Sequence, residues 1–278
     1  MERRNKRPVD AGAVMSRLLL GLLVALTLLP FYLMLINSFK NETGIVQAPF
    51  SLPLPPEVET YAKAWPQVVR PMLNSLLVTA AIIIITCLVS LLAAYAFARF
   101  SFFLKEALYF GVIALLMIPG FVLLIPQFIQ IVNLGMFDTY WALILVPAAY
   151  QVAMGTFLLR SSIEGIPLSL FEAATIDGAG DRHTLKYIVL PMSKPILATV
   201  IIMTGLSSWN NYIWPLVASS SEATSQIAVA LTSLVRDTYY GKGVLFAGYV
   251  CASLPIILLF SFSSKYFIEG LSQGAVKG

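Results

Sequence analysis

The residues of this chain that could do chemistry fall into two stretches. One is the polar segment 160–194, whose centre carries the carboxylates of Glu172 and Asp177. The other is a group of aromatic rings and side-chain amides inside an apolar run, made up of Trp209, Asn210, Asn211, Tyr212 and Trp214. Polar side chains within a long apolar run need partners, so the second stretch is a candidate ligand site. The first stretch is long enough to meet a partner outside the apolar part of the protein.

Catalytic and metal centres are not predicted. The sequence contains no G-x-x-x-x-G-K-[ST] phosphate-binding loop, so the chain cannot bind ATP by a Walker motif. It also has no nucleophile elbow. His183 is its single histidine, and Cys87 and Cys251 lie in apolar runs, where thiols usually fill space. We therefore expect no catalytic residue, no metal, no disulfide and no cofactor bound by this chain.

The composition is that of a membrane protein. Of the 278 residues, 58% are hydrophobic and only 12% are charged, and the mean hydropathy is +0.83. A soluble domain carries about 25% charged residues. Half that charge leaves too little polar surface to cover a globule in water. The predicted fold class is all-α, a polytopic bundle of six transmembrane helices with both termini in the cytoplasm.

Six apolar runs are long enough to cross a bilayer, at about 18–36, 74–98, 107–132, 140–159, 195–217 and 244–267. The first could be a signal peptide, because a basic segment (1–17) precedes it. However, its 19 residues span nearly ~30 Å as a helix and no small-residue cleavage site follows, so we interpret it as a retained span. The remaining segments are two external ones (37–73 and 218–243), the cytoplasmic loop (160–194) and a cytoplasmic tail (268–278).

Basic residues support this orientation. Cytoplasmic segments of membrane proteins carry an excess of lysine and arginine. With the N-terminus inside, 13 basic residues fall on the cytoplasmic side and 5 on the external side, which accounts for all 18.

Prolines predict irregular backbone at two places. The sequence LPLPP at 52–56 predicts that the first external segment forms no regular helix. Pro119, Gly120 and Pro126 within the third span predict a kinked or broken helix, which is tolerated where neighbouring helices or water satisfy the freed carbonyls. Such a helix suits a position beside a transport pathway, and we add Pro119, Gln127 and Gln130 to the candidate pathway residues.

The polar segment 160–194 predicts two short helices. Ser169 and Glu172 have the spacing of a capping box, Pro167 suits a helix entry, and Gly178 suits a left-handed exit. These signals predict a helix from Leu170 to Asp177, and a second helix starts near Asp181. One interpretation is an ordinary helix hairpin in which Glu172 only caps. The presence of apolar side chains outside the bilayer favours docking to a partner, the residues being Leu170, Phe171, Leu185 and Ile188.

The same segment resembles the EAA loop of ABC importer permeases, which reads EAA-x-x-DGA followed by an aromatic residue and I-x-LP-x-x-x-P. The matching residues are Glu172, Ala173, Ala174, Asp177, Gly178, Ala179, Ile188, Leu190, Pro191 and Pro195. This chain departs from the pattern at Leu185, where phenylalanine is usual. An apolar replacement should still fill the same socket.

The resemblance extends along most of the chain, to the MalG-like permease subunits of carbohydrate ABC importers, which have the MetI-like transmembrane fold. It includes Asn74–Leu76, Ala94–Arg99, Ile118–Gly120, the Trp209–Leu216 stretch, and a terminal Gly274, Ala275, Val276, Lys277 and Gly278. The resemblance implies that the loop docks in a cleft of an ATPase subunit and that the tail reaches toward the ATPase dimer.

It also implies the partners: a second, homologous permease, two ATP-binding subunits that hold ATP and magnesium, an extracytoplasmic solute-binding protein, and a sugar. The expected location is the bacterial cytoplasmic membrane, and this subunit itself would not be an enzyme.

Three alternatives stay open. The Trp209–Trp214 group could be an interfacial aromatic belt or a helix-packing cluster. The importer could carry a non-sugar solute, such as a glycerol-phosphate or an amino acid. The chain could also be a membrane scaffold that binds a soluble partner through segment 160–194. A membrane-embedded enzyme would need converging titratable groups within the spans, and the sequence has almost none there.

Overall fold

The computed structural model describes the backbone of residues 11–236 and 241–275, and the side chains within these ranges except at 11, 13 and 262–275. Every regular element in the described ranges is a helix. Four helices are long and apolar enough to cross a membrane, and two bent pairs also qualify if each pair is one span. The predicted all-α polytopic fold is confirmed. The cytoplasmic position of the termini stays a prediction.

The helices follow in chain order. They are α1 (Ala11–Asn37), α2 (Glu42–Gln47), α3 (Glu59–Arg99), α4 (Lys105–Ala114), α5 (Gly120–Asn133), α6 (Tyr140–Glu164), α7 (Leu168–Ile176), α8 (Asp181–Thr184), α9 (Leu190–Met192), α10 (Lys194–Trp209), α11 (Ile213–Ala218), α12 (Ile227–Arg236) and α13 (Gly241–Ala275). A 3₁₀ turn, Leu115–Met117, follows α4, and a π-helical turn, Leu185–Val189, follows α8.

The segment 37–73 is more regular than its prolines suggest. Helix α2 lies within it and α3 begins at Glu59, so the irregular stretches are 38–41 and 48–58. Asn41 caps α2, its side-chain oxygen accepting from the backbone N–H of Gly44 at 2.8 Å. The expectation of no regular helix here was wrong, because proline is excluded from a helix only where its missing N–H cannot be tolerated. Pro66 and Pro71 both lie within α3.

The third predicted span is broken, as Pro119 and Gly120 indicated. Its two parts, Lys105–Met117 and Gly120–Asn133, meet at an angle of 101°. Pro119 is the N-cap of α5, with extended backbone angles, and Pro126 is accommodated inside α5. The break therefore falls at Ile118 and Pro119, because a residue before proline is driven toward extended geometry.

The fifth predicted span also differs from a single straight helix. It consists of α10 and α11, separated by Asn210–Tyr212, and it is preceded by a 74° bend between Asp181–Met192 and Lys194–Trp209. The bend lies at Ser193, whose side chain is fully buried.

The described chain divides into two compact units. The smaller comprises residues up to Pro66 together with Leu234–Cys251, and the larger comprises Gln67–Ser233 together with the residues from Ala252 onward. The core of the smaller unit includes Ala64, Val244 and Ala247.

The larger unit contains two apolar clusters. One is centred on Val78, Ile82, Leu143 and Trp214, and the other on Leu91, Tyr95, Leu159, Phe171 and Val189. Both clusters take residues from α3 and α6, so these two helices form the frame on which the rest of the larger unit packs.

The loop between α11 and α12 is held by hydrogen bonds to the side chain of Asp138, which lies between α5 and α6. Asp138 accepts hydrogen bonds from the backbone N–H groups of Ser220 and Ser221 at 3.0 and 3.2 Å, and also from the hydroxyls of Ser221 and Thr224. These bonds, with the Thr224 hydroxyl contributing most, lower the pKa of the Asp138 carboxyl. The Asp138 carboxylate therefore stays charged well below neutral pH, and these hydrogen bonds are retained there.

Close approach of α3 and α6 depends on a glycine. A Cβ added to Gly155 would lie 2.9 Å from the Cβ of Ser90, which is itself fully buried. The Ser90 hydroxyl donates to the carbonyl of Val152 at 3.1 Å, so the contact is also hydrogen-bonded. Small residues at such positions let helix backbones approach in a membrane protein.

We predict that Gly155→Val lowers stability by about 1–3 kcal/mol through overpacking against Ser90. Gly111→Val in α4 is the matched control, because a Cβ there meets nothing within 4 Å. Thermal unfolding of the purified protein in detergent is the measurement. Equal melting temperatures for the two variants would show that α3 and α6 do not need this close contact.

Candidate functional site

Helix α7 is set by its two ends. Pro167 is its N-cap, with extended backbone angles, and the helix ends at Ile176 with Asp177 as C-cap. Gly178 has a φ of +74°, its N–H donates to Thr175 at 3.1 Å, and the N–H of Ala179 donates to Ala174 at 2.8 Å. This pair of bonds is a Schellman motif, which needs a left-handed residue after the helix. The predicted glycine exit is confirmed.

The predicted capping box is wrong. Ser169 lies inside the first turn of α7 instead of at its N-cap, and no side chain caps the helix. Pro167 takes the cap position because its fixed φ and its missing N–H suit the start of a helix. As a result the helix begins at Leu168, and the Glu172 side chain is exposed instead of folded back on the first turn.

The predicted apolar face of α7 is divided between core and surface. Phe171 and Ala174 are only 7% and 9% exposed, and Phe171 belongs to the second apolar cluster, whereas Leu170 is 40% exposed. The most exposed large apolar residues of the helix are Leu168, at 59%, and Ile176, at 86%. A partner would therefore meet Leu168, Glu172 and Ile176, while Phe171 faces the chain's own core.

The second half of the segment also packs inward. Leu185 and Ile188 are partly buried against the same cluster as Phe171, and Val189 is fully buried. Leu185 and Ile188 therefore offer only part of their surface to a partner, less than the sequence suggested. Leu190 and Pro191 remain exposed at the start of α9, and Pro195 is partly buried near the start of α10.

Two basic side chains hold the elements around α7. The guanidinium of Arg99, at the end of α3, lies 3.6 Å from the centroid of the Phe171 ring. Arg160 on α6 pairs with Glu106 at 2.9 Å and with Glu164 at 2.8 Å, and its guanidinium lies 3.8 Å from the Tyr109 ring centroid. The sequence motif Ala94–Arg99 gave no sign that Arg99 reaches the loop, since the two are distant in the chain.

A cleft of about 170 Å³ lies between α5, α6 and the break that follows α10. Its lining residues are Gly120, Leu123, Gln127, Val146, Pro147, Tyr150, Gln151, Asn211 and Trp214. Of the candidates from sequence it brings together Gln127, Asn211 and Trp214. None of these lining residues is charged.

Hydrogen bonds fix the polar wall of the cleft. The Gln151 amide donates to the hydroxyl of Ser207 at 2.7 Å, and Asn211 accepts from the backbone N–H of Trp214 at 3.4 Å. The Trp214 indole donates to the carbonyl of Ala142 at 3.0 Å. Tyr150 and Gln151 were missed from sequence, since α6 shows no break beside them, although Pro147 one turn earlier was an available signal.

Other candidates from sequence lie outside the cleft. Trp209 is buried in helix packing, and Asn210 donates to the carbonyl of Leu206 at the end of α10. Pro119, Gln130 and Tyr212 are not lining residues. Of the terminal residues, Gly274 and Ala275 have a described backbone only, and Val276, Lys277 and Gly278 lie outside the described residues.

A larger cavity of about 440 Å³ lies in the smaller unit and differs in chemistry. Its charges pair with one another, as Lys242 with Glu42 and Lys63 with Glu59, both at 2.9 Å. The Glu42 pKa is lowered, mainly by the hydrogen bond from the backbone N–H of Lys242. Lys40 is buried, donates to the carbonyl of Ala48 at 2.8 Å, and has its pKa lowered by burial. Because these charged groups already have partners within the chain, we interpret the cavity as part of the structure and not as a ligand site.

The fold and the cleft define a multi-pass membrane protein with a polar site among its spans. Residues 86–273 match the family described as binding-protein-dependent transport system inner membrane component. The probable ABC transporter permease protein YurM of Bacillus subtilis is 37% identical over 90% of this chain and 83% of its own length. The chain therefore belongs to this family and is an inner-membrane protein.

Two further proteins are similar to this chain. The diacetylchitobiose uptake system permease protein NgcG of Streptomyces coelicolor is 32% identical over 95% of this chain and 89% of its own length. A solved bacterial ABC transporter involved in the import of the acidic polysaccharide alginate has a TM-score of 0.82, covering 94% of this chain and all of that one, at 23% identity. At this identity the likeness shows that the fold is shared.

We predict that Gly178→Val loosens the end of α7, because a non-glycine residue in the left-handed region costs about 1–2 kcal/mol. Gly180→Val is the control, since Gly180 has an extended φ of −77° and open space around its Cβ. Tryptic cleavage at the exposed Arg182 and Lys186 should be faster by about fivefold or more in Gly178→Val than in the control. Equal cleavage rates would contradict the role of the left-handed exit.

Proposed function

We propose that this chain is the transmembrane permease subunit of an ATP-driven importer, that α7 docks on a cytoplasmic ATPase subunit, and that the solute is a mono- or oligosaccharide. The ATPase would bind ATP and magnesium, and a homologous permease and an extracytoplasmic solute-binding protein would complete the complex. The membership of the chain in a binding-protein-dependent transport family supports this assembly.

The exposed face of α7 is the observation that carries the proposal. Leu168 and Ile176 are 59% and 86% exposed, yet the helix that presents them is anchored by buried Phe171 and Ala174. A short helix that is fixed on one side and apolar on the other suits insertion into a groove of a partner. The distribution of basic residues supports a cytoplasmic position for this face.

The chemistry of the cleft supports a neutral, hydroxyl-rich solute. Its polar lining groups are the amides of Gln127, Gln151 and Asn211 and the hydroxyl of Tyr150, and a tryptophan ring forms part of the wall. Amides can both donate to and accept from hydroxyls. A glycerol-phosphate would require a compensating cation, and the lining has none. The sugar substrates named for NgcG and for the melibiose, raffinose and stachyose permease MelC of Bacillus subtilis agree with this choice.

Docking of α7 can be tested by crosslinking. We predict that Ile176→Cys, in a background with Cys87 and Cys251 replaced by serine, crosslinks to a co-expressed ATPase subunit with a yield that changes on ATP addition. Ala174→Cys is the matched control two residues away, because Ala174 is 9% exposed against 86% for Ile176. Absence of the Ile176→Cys crosslink in an intact complex, or a crosslink to an unrelated protein only, would favour a scaffold instead.

The cleft can be tested by removing one amide. We expect Gln151→Leu to lower sugar uptake into proteoliposomes by about fivefold or more, because a hydrogen bond to the solute is lost at unchanged side-chain size. Gln130→Leu is the control, since Gln130 lies one helix away on α5, is exposed, and does not line the cleft. Equal uptake by the two variants would exclude the cleft as the sugar pathway.

A further inference from the structure

The short helices around the proposed docking face rest on the last turns of α3. Arg99 stacks on Phe171 of α7, with 3.6 Å from guanidinium carbon to ring centroid. Tyr95 lies in one apolar cluster with Phe171 and Val189, which precede and follow the Gly178 turn. Tyr95 and Arg99 are four residues apart, so they lie on one face of α3. One face of a single helix therefore holds both sides of the Gly178 turn.

The same helix is attached, further toward its N-terminus, to a different loop. Asn74 donates to the carbonyls of Ala223 and Ser225, both at 2.9 Å, and the Ser75 hydroxyl accepts from the N–H of Ile227 at 2.9 Å. Asn74 and Arg99 are 25 residues apart, about 37 Å along the helix, which exceeds the ~30 Å of a bilayer core. Between these ends, the Thr79 hydroxyl bonds that of Ser208 at 3.0 Å, next to the serine that holds Gln151 in the cleft.

Helices α4, α5, α6 and α10 are less suited than α3 to transmit a movement of α7. The path into α10 crosses the 74° bend at Ser193, and the α4–α5 span is broken at 101°. Helix α6 is continuous but contains Pro147, and Gly165 separates it from α7. In contrast, α3 is one unbroken helix with no proline between Asn74 and Arg99.

We infer that Arg99 is a positioning residue that, through its stacking on Phe171, transmits movement of α7 to α3 and along it to the cleft and to the loop at Ala223–Ile227. This inference rests on the proposed function, since it assumes that an ATPase moves α7. The Phe171 ring is buried and Arg99 is partly buried, and a cation over an aromatic ring is an attractive contact, so the two elements move together. The side chain acts on transport without touching the solute or the ATPase.

The test is the amount of sugar transported per ATP hydrolysed by the complete complex in proteoliposomes. Arg99→Gln removes the charge and Phe171→Leu removes the ring, and each should lower this ratio by about threefold or more while ATP hydrolysis persists. The double variant should be no worse than either single one, because both remove the same contact. Arg99→Lys, which keeps a cation, should restore part of the ratio.

Arg70→Gln is the matched control, since Arg70 is an exposed arginine of the same helix. A normal ratio in Arg99→Gln, or losses that add in the double variant, would overturn the inference. If Arg99→Gln does not assemble, the ratio in Phe171→Leu and its recovery in Arg99→Lys decide the question. Failure of the proposed function is distinct, because the wild-type complex itself would then show no ATP-dependent uptake.

Discussion

The burial of Phe171 and Ala174 is the contact on which the functional part of the structure depends. Helix α7 has only nine residues, and an isolated helix of that length is not stable in water. Its stability must come from packing, and the packing is supplied by α3, α6 and the turn at Leu185–Val189. Since two side chains of α7 serve as the anchor, the opposite side is free to be apolar without a partner inside the chain. The exposure of Leu168 and Ile176 follows from this division.

Interruptions of helices create the cleft. In a bilayer, every backbone group must find a partner within the protein, so a broken helix is stable only beside polar groups. The structure has such a break at Pro119 and another at Asn210–Tyr212, and the cleft lies where both meet α6. The same residues that satisfy the broken backbone, such as Asn211, also line the cleft. A polar site within the spans is thus a consequence of where the chain stops being helical.

Sequence was a good guide to features that depend on composition and a poor one to features that depend on packing. Long apolar runs located the spans, and Pro119 and Gly178 located a break and a helix end, because both residues limit the backbone directly. The capping box failed because Pro167 and Ser169 were competing starts for one helix, and only the structure shows which one the chain uses. The break after Trp209 carried no proline, and the inward orientation of Phe171 depends on Arg99, which is distant in sequence.

No charged residue lies at 71–98 of α3 or at 140–159 of α6, and this has a consequence for the kind of solute that the proposed cleft could pass. Arg99 and Arg160 are engaged with Phe171, Tyr109 and carboxylates, and Asp138 is held by four donors from Ser220, Ser221 and Thr224. The described polar contacts deeper along α3 are neutral, as between Thr79 and Ser208 or between Ser90 and Val152. A charged solute in the cleft would therefore lose its hydration without gaining a counterion, at a cost of several kcal/mol. The proposed neutral sugar would exchange hydrogen bonds with water for hydrogen bonds with amides. The barrier to its passage would then be set by the geometry of the cleft, which the proposed movement of α3 would change.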